Sequence, residues 1–123
     1  MKKIIILGAG MVGKAMAIDL STEYKVKSVD IDQESLNYLS TNYDIQTEVM
    51  DVTDENLLAK AIKDFDLVIS AVPGFLGLQT IKNVIKNRKD LVDISFLPEG
   101  VLDLDDMAKE YGVTVIMDCG VDQ

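Results

Sequence analysis

Short apolar runs alternate with longer stretches in which apolar residues recur at helical spacing, and the alternation persists along the whole chain. The runs Lys3–Leu7, Lys25–Asp30, Ile45–Val49, Leu67–Ser70, Leu91–Ile94 and Val113–Met117 are mostly rich in Ile, Val and Leu. That is the composition of strands buried on both faces of a parallel sheet. Helices are predicted between them, over Met11–Ser21, Gln33–Thr41, Asp54–Ile62, Leu78–Asn87 and Leu102–Glu110. The helix ends carry matching chemistry. Asp32 is placed to cap the second helix, with Ser35 in its first turn. Thr53 is placed to cap the third, ahead of the first-turn acids Asp54 and Glu55, and Gly112 to stop the last. Six strands joined by five helices through right-handed crossovers predict an α/β fold, a doubly wound parallel six-stranded sheet of order 3-2-1-4-5-6. Residues 1–123 are read as one domain, without repeat, linker or low-complexity stretch.

The first strand runs into Gly8-Ala9-Gly10-Met11-Val12-Gly13, and Asp30 closes the second strand about 22 residues after Gly8, near the ~20 of a dinucleotide-binding (Rossmann) unit. The roles follow from sterics. Gly8 permits the sharp turn out of the strand, Gly10 removes a Cβ that would hold a pyrophosphate away, and Gly13 lets the helix lie close on the sheet. Backbone N–H groups near Gly10, Met11 and Val12 then face the phosphates at the positive end of the helix dipole.

Ligands of such sheets bind outside the carboxyl ends of the strands, at the switch point between the first and fourth. The residues delivered there beyond the glycine turn are Asp30 and Ile31, Asp51 and Val52, and Ala71, Val72 and Pro73. Asp30 is placed to accept the adenosine ribose hydroxyls. A 2′-phosphate there would meet Asp30, Asp32 and Glu34, with no Lys or Arg among residues 30–35. NAD is therefore expected in preference to NADP. Asp51 and Val52 are placed to bound the adenine, and Phe75 and Leu76 to form an apolar lip. Asp93, Ser95 and Asp118 are candidates for proton transfer by position alone, so the catalytic residues stay unassigned.

Composition narrows the partners. The net charge is −9, and no basic cluster offsets it, which excludes a nucleic-acid role. The chain has no His and one Cys. That excludes a His general base, a Ser-His-Asp triad and a Cys/His zinc site within it, and no metal is expected. Cys119 has no partner for an internal disulfide, consistent with a reducing cytoplasm. Asp103, Asp105 and Asp106 read as acids at the start of a helix, since the full calcium-loop pattern is absent. No apolar run approaches the ~18 residues of a membrane span.

With these segments in hand, the sequence resembles the N-terminal nucleotide-binding domain of the saccharopine dehydrogenase family. The resemblance rests on Gly8–Lys14, Met50–Asp54, Ser70–Gly77, Leu91–Phe96 and Ala108–Val121, and it covers essentially the whole chain. It implies an oxidoreductase of amino-acid metabolism that oxidises or reduces C–N bonds of amino acids or their conjugates, with a nicotinamide carrying the hydride. It implies that Gly8, Gly10, Gly13, Asp30, Asp51, Val72 and Pro73 line the cofactor. It also implies an amino-acid-type substrate and a homodimer for a full-length protein whose substrate domain would follow Val121, so the chain is read as a fragment that is inactive alone. The alternative is an NAD(H)-sensing regulatory domain of a potassium transport system, which shares the glycine motif. Val72-Pro73-Gly74-Phe75 and Asp93-Ile94-Ser95 favour the dehydrogenase.

Overall fold

The computed structural model describes residues 1–95 and 102–117. Strands β1 (Lys3–Leu7), β2 (Lys25–Asp30), β3 (Gln46–Val49), β4 (Leu67–Ser70), β5 (Leu91–Asp93) and β6 (Val115–Met117) alternate with helices α1 (Met11–Leu20), α2 (Gln33–Asn42), α3 (Glu55–Ile62), α4 (Gly74–Lys86) and α5 (Leu102–Tyr111). The sheet is parallel throughout, in the order β3-β2-β1-β4-β5-β6. The expected fold class and strand order are both observed.

The period of two along each strand sorts side chains to two cores. Ile5, Leu7, Val29, Val68 and Leu91 face α3, α4 and α5 and pack with Leu58, Ile62, Ile81, Val84, Ile85 and Leu104. Ile4, Ile6, Val26 and Ile69 face the other way and pack with Ala17, Leu36 and Leu39 of α1 and α2. Because chain order reverses direction at β1, a crevice opens at its carboxyl end, between β1 and β4. β3 is an edge strand with mostly exposed side chains, tied to β2 by the Lys27–Glu48 ion pair at 2.6 Å.

Several boundaries differ from those expected. β3 and β6 start later and β5 ends earlier, while α2 and α5 run further. The largest difference is α4, which begins at Gly74 rather than Leu78. Pro73 occupies its N-cap, where a missing N–H removes nothing from the helical ladder. The third helix is capped by Asp54 and not by Thr53. Asp54 Oδ1 accepts the N–H groups of Asn56 and Leu57, both at 3.1 Å. Thr53 instead donates its N–H and hydroxyl to Asp51 Oδ1, at 2.9 and 2.6 Å. Asp32 caps α2 as expected, accepting from Glu34 N–H and from the Ser35 hydroxyl. Gly112, at φ 71°, ends α5.

Candidate functional site

The crevice is built on the ends of β1, β2 and β4. Gly8 continues the β1–β2 ladder, its N–H donating to Val29 O at 2.9 Å, and Ala71 N–H closes β4 onto Leu7 O at 2.8 Å. Gly8 sits at φ 103°, and a Cβ there would lie 3.0 Å from the Ala71 carbonyl oxygen. Backbone sign and space therefore both demand glycine. Gly13 lets α1 lie close on the carboxyl end of the sheet. Its Cβ would fall 2.2 Å from the Gly8 carbonyl oxygen and 3.3 Å from Ala71 Cβ, at the ends of β1 and β4. At Gly10, the N-cap of α1, a Cβ meets nothing within 4 Å. This glycine faces open space on the crevice side.

The Asp30 carboxylate is engaged within the chain. Oδ2 accepts the Ala9 N–H at 2.5 Å and Oδ1 accepts the Asp32 N–H at 2.9 Å. Asp51 is held by Thr53, whose hydroxyl and N–H keep its carboxyl below the usual carboxylate range. A cleft of about 280 Å³ connects these residues, bordered by Gly8, Gly10, Asp30 and Ile31, by Asp51 and Val52, and by Ala71, Val72 and Pro73. Nine of the twelve residues expected around a cofactor thus meet in one cleft. Met11, Val12 and Gly13 are outside its lining. Met11 is 86% exposed and Val12 55%, because α1 carries both side chains away from the turn. Their contribution, if a phosphate binds, is through the N–H groups that a helix start leaves unpaired.

Sequence reasoning passed over Val29, Met50 and Thr53, which also line the cleft. Val29 and Met50 each precede a named acid, and alternation along a strand puts such neighbours on the opposite face. The signal that recovers them is their place at strand ends on the same carboxyl edge. Ile31 and Leu76 are exposed apolar residues of the cleft lining, whereas Phe75, 78% exposed, is outside it.

Asp93 lies apart from the cleft lining. It is fully buried at the end of β5, where its oxygens accept the Ser95 N–H and hydroxyl at 3.2 and 2.8 Å. Burial pushes its carboxyl up to about 6, with the Ser95 hydrogen bonds opposing. Ser70 stands beside it in register, and the buried Ser70 Oγ has no hydrogen-bond partner among the described residues. Asp118, Cys119 and Phe96 lie outside the described residues. Among the described residues, no cluster of three or more His, Cys, Asp or Glu is arranged to hold a metal, and no helix is long and apolar enough to cross a membrane.

A doubly wound sheet with a glycine turn at its switch point and an acid closing the adjacent strand defines a nucleotide-binding α/β domain. A family model described as the saccharopine dehydrogenase NADP binding domain matches residues 4–116, and the chain belongs to this family. It is a pyridine-nucleotide-binding domain. The saccharopine dehydrogenase (NADP(+), L-glutamate-forming) of Pyricularia oryzae is 31% identical over 124 residues, covering 98% of this chain and 27% of that protein. The mitochondrial alpha-aminoadipic semialdehyde synthase of Rattus norvegicus is 29% identical and is covered over 13% of its length. The apo saccharopine dehydrogenase (L-Glu forming) of Saccharomyces cerevisiae superimposes with a TM-score of 0.85 at 25% identity, over 99% of this chain and 28% of that one. The chain thus spans between 13% and 28% of the length of these three relatives. A potassium-transport sensor finds no support in these matches.

Proposed function

We propose that this domain serves a saccharopine dehydrogenase-like oxidoreductase acting on C–N bonds of amino acids or their conjugates, and that it holds NAD(H) in preference to NADP(H). The observation that carries the cofactor choice is the carboxylate of Asp30 in the wall of the cleft, followed by Asp32 and Glu34. No cation lies among residues 30–35; Lys27 of β2 pairs with Glu48, and Lys14 of α1 sits 5.6 Å from the centre of the Tyr38 ring. A ribose diol donates to such a carboxylate, whereas a 2′-phosphate is repelled by it. The preference departs from the NADP in the names of the family and of the Pyricularia oryzae relative.

The nicotinamide, when bound, accepts or donates the hydride. The chain's own residues bind and orient. Gly10 leaves room for the pyrophosphate beside the α1 amides, Asp51 and Val52 border the adenine, and Val72 and Pro73 wall the path toward the nicotinamide. Substrate holding, and with it a homodimer, falls to the parts of the relatives that this chain does not span. Positioning of the substrate carbon supplies much of the rate of hydride transfer, so residues 1–123 alone bind a dinucleotide without turning over amino acids. The single Cys supports a reducing, cytoplasmic location. Titration calorimetry with NAD(+) and NADP(+) tests the cofactor choice. Tighter binding of NAD(+), with a gap that narrows in Asp30→Ser, is expected; equal or tighter binding of NADP(+) overturns it. Nicotinamide absorbance with saccharopine and lysine tests the rest, and turnover by the isolated domain would show a complete site within it.

A further inference from the structure

Asp30 does more in this structure than wait for a ribose. We infer that its carboxylate is a positioning group for the phosphate-binding turn, holding Gly8-Ala9-Gly10 in its binding shape before any nucleotide arrives. Ala9 is fully buried, and its N–H lies between the end of a strand and the start of a helix, where neither ladder supplies an acceptor. Asp30 Oδ2 supplies it, at 2.5 Å, across a separation of 21 residues. The carboxylate is itself fixed. Its residue is the last of β2, is paired in register with Val49, and accepts Met50 N–H on its carbonyl at 2.9 Å. Its other oxygen holds Asp32 N–H. Without it, Ala9 N–H is a buried donor left unpaired, next to a glycine already at φ 103°. A carboxylate has about four acceptor positions, and two are used here, so two remain for a ribose diol. Holding the turn and reading the ribose are compatible in one side chain.

The consequence concerns cofactor selectivity, and this half of the inference rests on the nucleotide reading above. Removing Asp30 relieves repulsion of a 2′-phosphate and unties the turn at the same time. The gap between NAD(H) and NADP(H) therefore narrows mainly through loss of NAD(H).

Inorganic pyrophosphate separates the two roles, because it carries charge but no ribose. If Asp30 acted only on the ribose, deleting its negative charge would strengthen pyrophosphate binding. If it holds the turn, deletion weakens it. The experiment uses ¹⁵N-labelled chain, with hydrogen exchange of the Ala9 amide in the free protein and pyrophosphate titrations followed at Gly10, Met11 and Val12. In Asp30→Ala we expect Ala9 exchange to quicken about ten-fold or more and pyrophosphate binding to weaken several-fold. Asp30→Asn keeps an acceptor for Ala9 N–H while losing the charge, and is expected to retain Ala9 protection and to bind pyrophosphate at least as well as the unmodified chain. Asp30→Ser, whose hydroxyl is too short to reach Ala9, should behave as Asp30→Ala and replaces it if that variant does not fold. Unchanged Ala9 exchange in Asp30→Ala or Asp30→Ser overturns the inference without reference to any ligand. Pyrophosphate binding that stays equal or tightens in those variants overturns it as well. Failure of the unmodified chain to bind NAD(+) or pyrophosphate overturns the nucleotide reading and the selectivity consequence, and Ala9 exchange then decides the tether alone.

Discussion

Among the described residues, four helix starts fall into two kinds. α2 and α3 start on aspartates, Asp32 and Asp54, whose carboxylates accept the first free amides, and each has an acid in its first turn. α1 and α4 start on Gly10 and Pro73, with no side-chain cap and no first-turn acid. The first pair completes itself from its own sequence. The second pair borders the cleft and leaves its amides to something else. Helix starts are thus satisfied locally at α2 and α3 and left open at one crevice, which sets residues that serve stability apart from residues that line the cleft. That contrast can be broken residue by residue.

The largest effect is expected at the turn itself. Gly13→Leu drives a side chain into the Gly8 carbonyl, 2.2 Å from the new Cβ. Because backbone cannot yield as a side chain can, the loss should reach the top of the overpacking range, about 3 kcal/mol. Urea denaturation checks it, and a loss below 1 kcal/mol would show the turn to be adaptable.

Asp93 sharpens the contrast from another side, since it also accepts an amide of its own turn, and the Ser95 hydroxyl, but does so fully buried. Its carboxyl is pushed up to about 6 from 3.8. The fold therefore favours the protonated form. That contribution is complete below about 3.8 and is lost as pH rises through about 6, so it amounts to about 3 kcal/mol less stability at pH 7 than at pH 3.5 from this group alone. Asp93→Asn should flatten the stability profile over that range and raise stability at pH 7. An unchanged pH profile in the variant would refute the assignment.

Gly10→Val should divide binding from stability. The new side chain enters open space, so unfolding should shift by no more than the ~1 kcal/mol of a poorer N-cap. Dinucleotide binding should weaken at least ten-fold, about 1.4 kcal/mol. Normal affinity would move the pyrophosphate elsewhere. Asp54→Ala is the converse and the smallest change. Loss of a cap costs about 1 kcal/mol, and melting should show it while NAD(+) affinity stays the same. A fall in affinity would mean that α3 reports to the cleft.

Much of this was legible in the sequence because the signals were local. Apolar runs of three to six residues fix strands, and the run of alternating elements leaves few topologies. The glycine turn and Asp30 announce a crevice by spacing alone. What escaped was decided by contacts that spacing does not show. Pro73-Gly74 reads as a turn, yet proline at a helix start is unstrained, and α4 begins four residues early and turns Phe75 outward. Thr53 and Asp54 are both good caps, and the choice fell to Asp54 because Asp51 captures Thr53. Spacing suggests that Gly13 packs the helix on the sheet, but it does not show that the obstacle there is the Gly8 carbonyl, five residues earlier. The link from Ala9 to Asp30 joins two motif positions that the sequence treats as independent.

The nesting of Gly8, Gly13 and Ala71 has a consequence for how this domain tolerates change. A Cβ at Gly8 would lie 3.5 Å from Ala71 Cβ, and one at Gly13 3.3 Å from the same atom. Three residues from two segments far apart in the chain, the glycine turn and the end of β4, thus share one small volume, and residue size at each is conditional on the others. A library that varies position 71 alone samples only what two glycines permit, and one that varies 8 or 13 alone meets backbone oxygen even with glycine at 71. Sequence drift in this corner has to be concerted or absent, while Gly10, where a Cβ meets open space, is free of that constraint.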